Sequence, residues 1–207
     1  MRTVDPDKHA ARRQAIIAAA KSCFARKGFH KTSTAAICTE ADISSGSLFH
    51  YFPNKKAIVA AIVEQEREQT TRYFTDIAQA DDLFSALLDF MDAVLSLAAD
   101  STYARLALEI AAEATRDPDV AALSAENDIA LRKGIADLLS KASERRQIDP
   151  ELDAAATAHC IAALIDGIFN RVAVDPQFAP LRQRQTIHLL LGRFLQPQPM
   201  PPSSTTR

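Results

Sequence analysis

The sequence predicts an all-α fold of about nine helices, and three observations carry that reading. Strand signals are nearly absent, with few β-branched alternations and almost no Asn-Gly or Gly-Gly turns. Alanine, the best helix former, is abundant, and apolar residues recur three and four apart. Hydrophobic residues are 47% of the 207, while Gly and Pro number 5 and 10, so the chain can bury a core and is not a disordered polymer.

The elements follow in order. A first helix spans about Asp7 to Lys27, with Asp5 as cap, Pro6 at a tolerated first position, and Ile16, Ala20, Cys23 and Phe24 on one face. Gly28 ends it. Thr32 or Ser33 opens a short second helix to about Ala41, and Ser44 or Ser45 opens a third to about Tyr51. Phe52-Pro53 breaks the chain, because proline disfavours a helical conformation in the residue before it. Asn54 caps a long fourth helix to about Ile77. The fifth covers Asp81–Ala98, the sixth Thr102–Arg116, and the seventh Asp119 to about Arg146. Asp149-Pro150 opens the eighth, to about Val174, and Pro180 the ninth, to about Leu195. The tail from Gln196, with four prolines among Ser and Thr, reads as disordered.

Charge is divided unevenly. Residues 1–56 carry a net +6 and the remaining residues a net −8. A basic quarter on an acidic body is the footprint of a polyanion-binding head. The second and third helices lie inside that quarter, joined by Asp42-Ile43-Ser44, and read as a helix-turn-helix. In that motif the second helix meets base edges in the major groove. Here it begins Ser44-Ser45-Gly46-Ser47: small hydrogen-bonding side chains, and a glycine that lets backbone come close. Leu48 and Phe52 anchor the helix to a core. Phe49, His50 and Tyr51 gather at its end, where planar groups suit sugar-phosphate. Lys55 and Lys56 follow beside the N-terminal amides of the fourth helix, so cation and amides converge on a phosphate.

This string resembles the TetR family of bacterial one-component repressors. The resemblance covers residues 10–60 closely, through Ile16-Ile17, Ala19-Ala20, Phe24, Lys27-Gly28-Phe29, Thr32-Ser33, Ile37, Ala41, the run Ile43 to Phe52, and Asn54-Lys55. More loosely, Leu164-Ile165-Asp166-Gly167 looks like a stretch of the family's eighth helix. It implies a DNA-binding domain (1–53), a connecting helix (54–78), a ligand-binding and dimerisation domain (79–195) and a tail (196–207). It places Ser45, Gly46 and Ser47 on base-reaching positions, Lys55 on the phosphate lysine, and Ser33 and Thr34 near phosphate-touching hydroxyls. His50 and Tyr51 fall on positions that touch backbone or bases. Phe49 falls where the family has a phosphate-binding tyrosine and, lacking the hydroxyl, packs. Two departures stand out: Ala35 where many members have a contacting Arg, and Asp42 in place of the turn glycine. Aspartate tolerates the left-handed conformation.

In the body, Phe84, Leu88, Met91, Leu95, Tyr103, Leu106 and Ile110, with Ile165 and Phe169, are candidate walls of a cavity for a small, largely apolar ligand. Such apolar stripes are more often plain core than cavity wall. Glu109 and Glu113, four apart, share a helix face and can hold a cation if that face points inward. Asn127, Asp128, His159 and Asp166 are weaker candidates of the same kind. With three Tyr and no Trp, an aromatic cage for a quaternary ammonium is disfavoured. Leu164, Gly167, Ile168 and Arg171, with Leu190, Leu191 and Phe194, suit a four-helix dimer interface.

No Gly-rich phosphate loop, Gly-x-Ser-x-Gly, His-Glu-x-x-His or paired cysteine ligands occur, so no catalytic residue, cofactor or metal is assigned. Three scattered cysteines form neither a disulfide framework nor a zinc site. The N-terminus lacks an apolar secretory segment, and the weakly polar run Ala154–Ile165 is shorter than the ~18 apolar residues of a membrane span, so a cytoplasmic location without membrane contact is expected. The expected partners are therefore a double-stranded DNA operator, a second copy of the chain and an unidentified small molecule. The competing classes are an enzyme and a helical interaction protein without DNA. The +6 segment argues against the second.

Overall fold

The computed structural model describes residues 6–196. Within them the chain folds into α1 (Pro6–Lys27), α2 (Thr34–Glu40), α3 (Ser45–Tyr51), α4 (Lys55–Ile77), α5 (Leu83–Ala99), α6 (Ser101–Ala114), α7 (Pro118–Glu144), α8 (Ala154–Val174) and α9 (Arg184–Leu195), with a 3-10 turn at Pro180–Gln183. The Asp5 cap and the tail beyond Gln196 lie outside the described residues.

Side-chain caps set most of the helix starts. Ser33, Ser44, Asn54, Asp82, Asp100, Asp117 and Asp153 each accept a first-turn N–H. Such a cap contributes about 1 kcal/mol. Gly28 stops α1 with φ +77°, a region that glycine enters without a Cβ penalty. Asp42 takes φ +50° in the turn between α2 and α3, the conformation its short polar side chain tolerates. Two starts differ from the sequence reading. Asp149 donates its N–H to Leu195 O at 2.7 Å, and its Oδ1 accepts the Glu151 N–H at 3.0 Å. The Pro150 stretch is thereby held as a separate turn, and α8 begins at Ala154 under the Asp153 cap. Pro180 opens the 3-10 turn, which has no side-chain cap, and α9 begins only at Arg184.

Two apolar cores result. The first joins α1, α2, α3 and the first half of α4 through Ile16, Phe24, Ile37, Leu48, Ile58 and Ile62, and also takes in Leu106 of α6 and Val120 of α7. The second gathers α5, α7, α8 and α9 around Leu87, Met91, Leu95, Ile135, Leu139 and Leu191, with Phe74 from the far end of α4. Gly134 makes room for the Phe74 ring, which a β-carbon there would overlap. Helix α4 is therefore built into both cores, and the head also rests directly on α6 and α7. By length and composition α8 is apolar enough to cross a membrane. Its Ile161, Ile165 and Ile168 instead pack in the second core.

Candidate nucleic-acid interface and body cavity

The outward side of α3 carries Ser45, Gly46 and His50 exposed, Ser47 and Tyr51 half-buried, and Phe49 50% exposed. Phe49 therefore does not pack into the head. It presents an uncovered ring. A β-carbon on Gly46 would meet nothing closer than Ser44 Oγ at 4.0 Å, so the chain's own packing does not demand glycine there. Ser33 and Ser44 are engaged as caps, their oxygens accepting the N–H of Ala36 (3.1 Å) and Ser47 (3.2 Å). Each hydroxyl proton is still available to donate. Thr34 is half-buried at the first residue of α2. Tyr51 lies against His9 of α1 (ring centroids 4.6 Å), with His50 edge-on at 5.3 Å from Tyr51.

Lys55 is placed differently from the sequence reading. Its Nζ donates to Phe29 O at 2.6 Å and Thr32 O at 3.0 Å and sits 4.2 Å over the Phe29 ring. Burial pushes its pKa down, opposed by the Glu113 carboxylate. The ammonium thus ties the α1–α2 turn to the start of α4. Other bases of the head are also engaged: Lys21 with Glu66 (2.7 Å), Arg26 with Glu40 (2.7 Å), Lys56 with Asp117, and Arg13 over the Phe52 ring (5.3 Å). Arg12 and Lys31 are exposed and make no ion pair among the described residues. The outward positive charge is smaller than the +6 count suggests.

Glu109 and Glu113 do not line the cavity between α4, α6, α7 and α8. They hold the head. Glu109 Oε2 accepts the Phe29 N–H at 3.1 Å, and its carboxylate lies 3.0 Å from where a β-carbon on Gly28 would stand. Glu113 is buried and meets His30 Nε2 at 2.9 Å. One turn of α6 thus holds two successive residues of the α1–α2 turn, Phe29 and His30, with the Glu109 carboxylate beside Gly28.

The other side of α6 lines a half-open cavity of about 250 Å³, bounded by α4, α7 and α8. Tyr103, Leu106 and Ile110 line it. Phe84, Leu88, Met91 and Leu95 do not: Met91 and Leu95 are at the centre of the second core, and Phe84 and Leu88 pack against it. Ile165 is buried in that core, and Phe169 sits at its edge, 6.0 Å from the Tyr103 ring. They miss the cavity because an apolar stripe at helical spacing suits core and cavity wall alike. The polar side of the cavity is Glu66, Ser124, Asn127, Asp128 and Asp166. Glu66 was not anticipated. Its signal was an acid four residues beyond Ile62 on the stripe Ile58-Ile62. Tyr103 Oη donates to Glu66 Oε2 at 2.8 Å, while Lys21 holds Oε1. Burial, reinforced by Glu66, pushes the Tyr103 phenol far up. Asp128 accepts from Arg132 at 2.7 Å, and Arg132 reaches His159 Nε2 at 2.6 Å, outside the cavity. Asp166 has no hydrogen-bond or ion-pair partner among the described residues, and partial desolvation and Asp128 raise its pKa.

On the far side of α8 and α9, Gly167, Arg171, Leu190 and Phe194 are exposed, together with Leu189 and Val174. A β-carbon on Gly167 would touch nothing. Arg171 pairs with Asp175 at 2.7 Å. Ile168 and Leu191 face inward, 4% and 1% exposed, and Leu164 is half-buried against the second core. The sequence stripe mixed two faces of each helix.

A helix-turn-helix head seated on a helical body, with an uncovered recognition-helix face, defines a DNA-binding transcriptional regulator. The chain belongs to the TetR family. The model of "Bacterial regulatory proteins, tetR family" matches residues 16–62, and that of "BetI-type transcriptional repressor, C-terminal" matches residues 85–196. It is similar to the HTH-type transcriptional regulator UidR of Escherichia coli K12, 28% identical over 185 residues, covering 88% of this chain and 92% of UidR. Among solved structures, GusR of Salmonella enterica superposes with TM-score 0.74 at 27% identity, over 89% of this chain and 95% of that one. A SmeT–triclosan complex shares the fold, with TM-score 0.76 at 19% identity, over 92% and 99% of the two chains. Regulators of this family bind operator DNA as dimers and respond to small molecules.

Proposed function

We propose that this chain is a cytoplasmic repressor, without enzymatic activity, that holds a pseudo-palindromic operator as a homodimer and releases it when a small, largely apolar ligand fills the body cavity. A two-fold dimer reads two half-sites, hence the pseudo-palindrome. Ser45, Gly46, Ser47 and His50 meet bases. The hydroxyls of Ser33, Thr34 and Ser44 and the rings of Phe49 and Tyr51 meet the backbone. Lys55 supports the turn between α1 and α2 instead of a phosphate. The exposed face of Gly167, Arg171, Leu190 and Phe194 joins the protomers.

One observation carries the release step: α6 touches both ends. Leu106 and Ile110 line the cavity while Glu109 and Glu113, on the same helix, hold Phe29 and His30 of the head. Helix α4 joins the same ends, from Lys55 in the head to Glu66 at the cavity. A ligand that favours a different seat for these helices lowers DNA affinity by its differential affinity alone, about 5- to 150-fold for a coupling of 1–3 kcal/mol. Ala107→Trp, which fills the cavity, tests this without knowledge of the ligand. Operator affinity should fall by at least about 5-fold with the dimer intact. Unchanged affinity in a folded, filled variant would refute release through the cavity.

A further inference from the structure

Hydrogen-bond accounting around the cavity leaves an excess of acceptors. Glu66 has both oxygens engaged, by Lys21 and Tyr103, and Asp128 has Arg132. Asp166 is exposed and borders the cavity, a carboxylate without a partner among the described residues that the protein desolvates only in part. Asn127 Oδ1 and Ser124 Oγ are buried and have no hydrogen-bond partner, and of the two only the Ser124 hydroxyl has a proton of its own to give. The phenol proton of Tyr103 is already given to Glu66. A buried acceptor such as Asn127 Oδ1 is costly without a donor, and the unpaired Asp166 carboxylate disfavours an anion. A neutral apolar ligand would strip more water from Asp166 and return nothing to it.

We propose that the cavity selects a small protonated amine, its N–H groups donating to Asp166 and Asn127 and its apolar part against Ile62, Leu106 and Leu131. This rests on the reading of the cavity as the effector site and gives that site its ligand class. Charge-assisted N–H bonds to carboxylate are about twice as strong as neutral ones. A quaternary ammonium has no N–H to give, and among the described residues Tyr103 is the cavity's only aromatic wall. The volume of about 250 Å³ lies just below the roughly 300–1,000 Å³ of ordinary ligand sites, so the amine is compact.

Calorimetry on the full chain with benzylamine, benzyl alcohol, benzoate and benzyltrimethylammonium as probes tests the class. Benzylamine should bind tightest, and Asp166→Asn should weaken it about 10- to 100-fold and benzyl alcohol much less, with a retained cooperative melt showing that the variant is folded. Benzyl alcohol, benzoate or the quaternary probe binding as tightly as benzylamine overturns the proposal. So does benzylamine binding that is absent or indifferent to Asp166→Asn. Operator affinity in the same samples separates the two readings. Asp166-dependent amine binding that leaves operator affinity unmoved upholds the ligand class and refutes the cavity as effector site. Operator release by benzyl alcohol but not by benzylamine does the reverse.

Discussion

Head and body treat charge in opposite ways. In the head, the bases that give the sequence its +6 are largely turned to internal use: Lys55 on two carbonyls, Lys21 and Lys56 on acids of α4 and the α6–α7 corner, Arg26 on Glu40. In the body, Asp166 is left uncompensated beside a cavity. A closed set of pairs rigidifies, whereas an open charge waits for a partner from outside. The comparison teaches that a charge count locates a module, and only the pairing within it tells which charges can act on something else.

The strongest way to break this picture is at the dimer helices. Ile168 is buried, so Ile168→Asp places a lone carboxylate in the second core and should cost about 4 kcal/mol or more. Melting and light scattering should show loss of the folded chain, not a folded monomer. Phe194→Asp, on the exposed face, should give a folded monomer. A folded Ile168→Asp monomer would place that side chain at the interface after all.

Lys55→Ala discriminates next. Loss of two charge-assisted bonds to Phe29 and Thr32 carbonyls should lower unfolding stability by about 2 kcal/mol in urea melts. Lys31→Ala, at an exposed and unpaired base, should stay within about 0.5 kcal/mol. If Lys55→Ala kept full stability and instead reduced the salt slope of operator binding by about one, the lysine would be a phosphate contact.

These two tests mark where sequence reasoning stops. The nine helices of the described residues were legible because caps and apolar period are local: Asn54 announces α4 and Gly28 ends α1 without reference to anything distant. The helix-turn-helix was legible because its residues are close in sequence. The late start of α8 was not, since it depends on Asp149 meeting Leu195, residues far apart in the chain. Nor was the role of Glu109 and Glu113. Their spacing shows that they share a face, but only tertiary packing says that the face meets Gly28, Phe29 and His30. Met91 and Tyr103 both sit on apolar stripes, and the sequence has no means to tell core from cavity wall.

The contact of Glu109 with the head yields a smaller effect. Gly28→Ala forces a β-carbon into φ +77° and toward the Glu109 carboxylate. The left-handed conformation costs about 1–2 kcal/mol for a non-glycine residue. A thermal melt of Gly28→Ala should show that loss. Glu109→Ala has its own cost, the lost bond from Phe29 N–H, but in its background Gly28→Ala should cost only the backbone part. Strict additivity of the two losses would mean the side chains do not meet.

The smallest expected effect is on stability at Asp166, and its sign is its value. The folded-state pKa is raised, first by desolvation and then by Asp128. At low pH, with Asp166 protonated folded or unfolded, the group costs nothing. As pH rises from the usual aspartate range through the raised folded value, the native state holds its proton longer, and stability is lost over that window. At neutral pH the unliganded protein bears the whole cost, so Asp166→Asn should melt slightly higher than the parent. That advantage should shrink as pH falls and vanish below the usual aspartate range. The charged groups that face Asp166 around the cavity, Asp128 with Arg132 and Glu66 with Lys21 and Tyr103, are present in both proteins. Melting curves of the pair from neutral to acid pH provide the check. An Asn variant that melts lower at neutral pH, or a difference that does not change with pH, would mean Asp166 is already compensated in the folded protein. With saturating benzylamine the order should reverse, because only the carboxylate gains a charged partner and ligand binding adds its free energy to the native state.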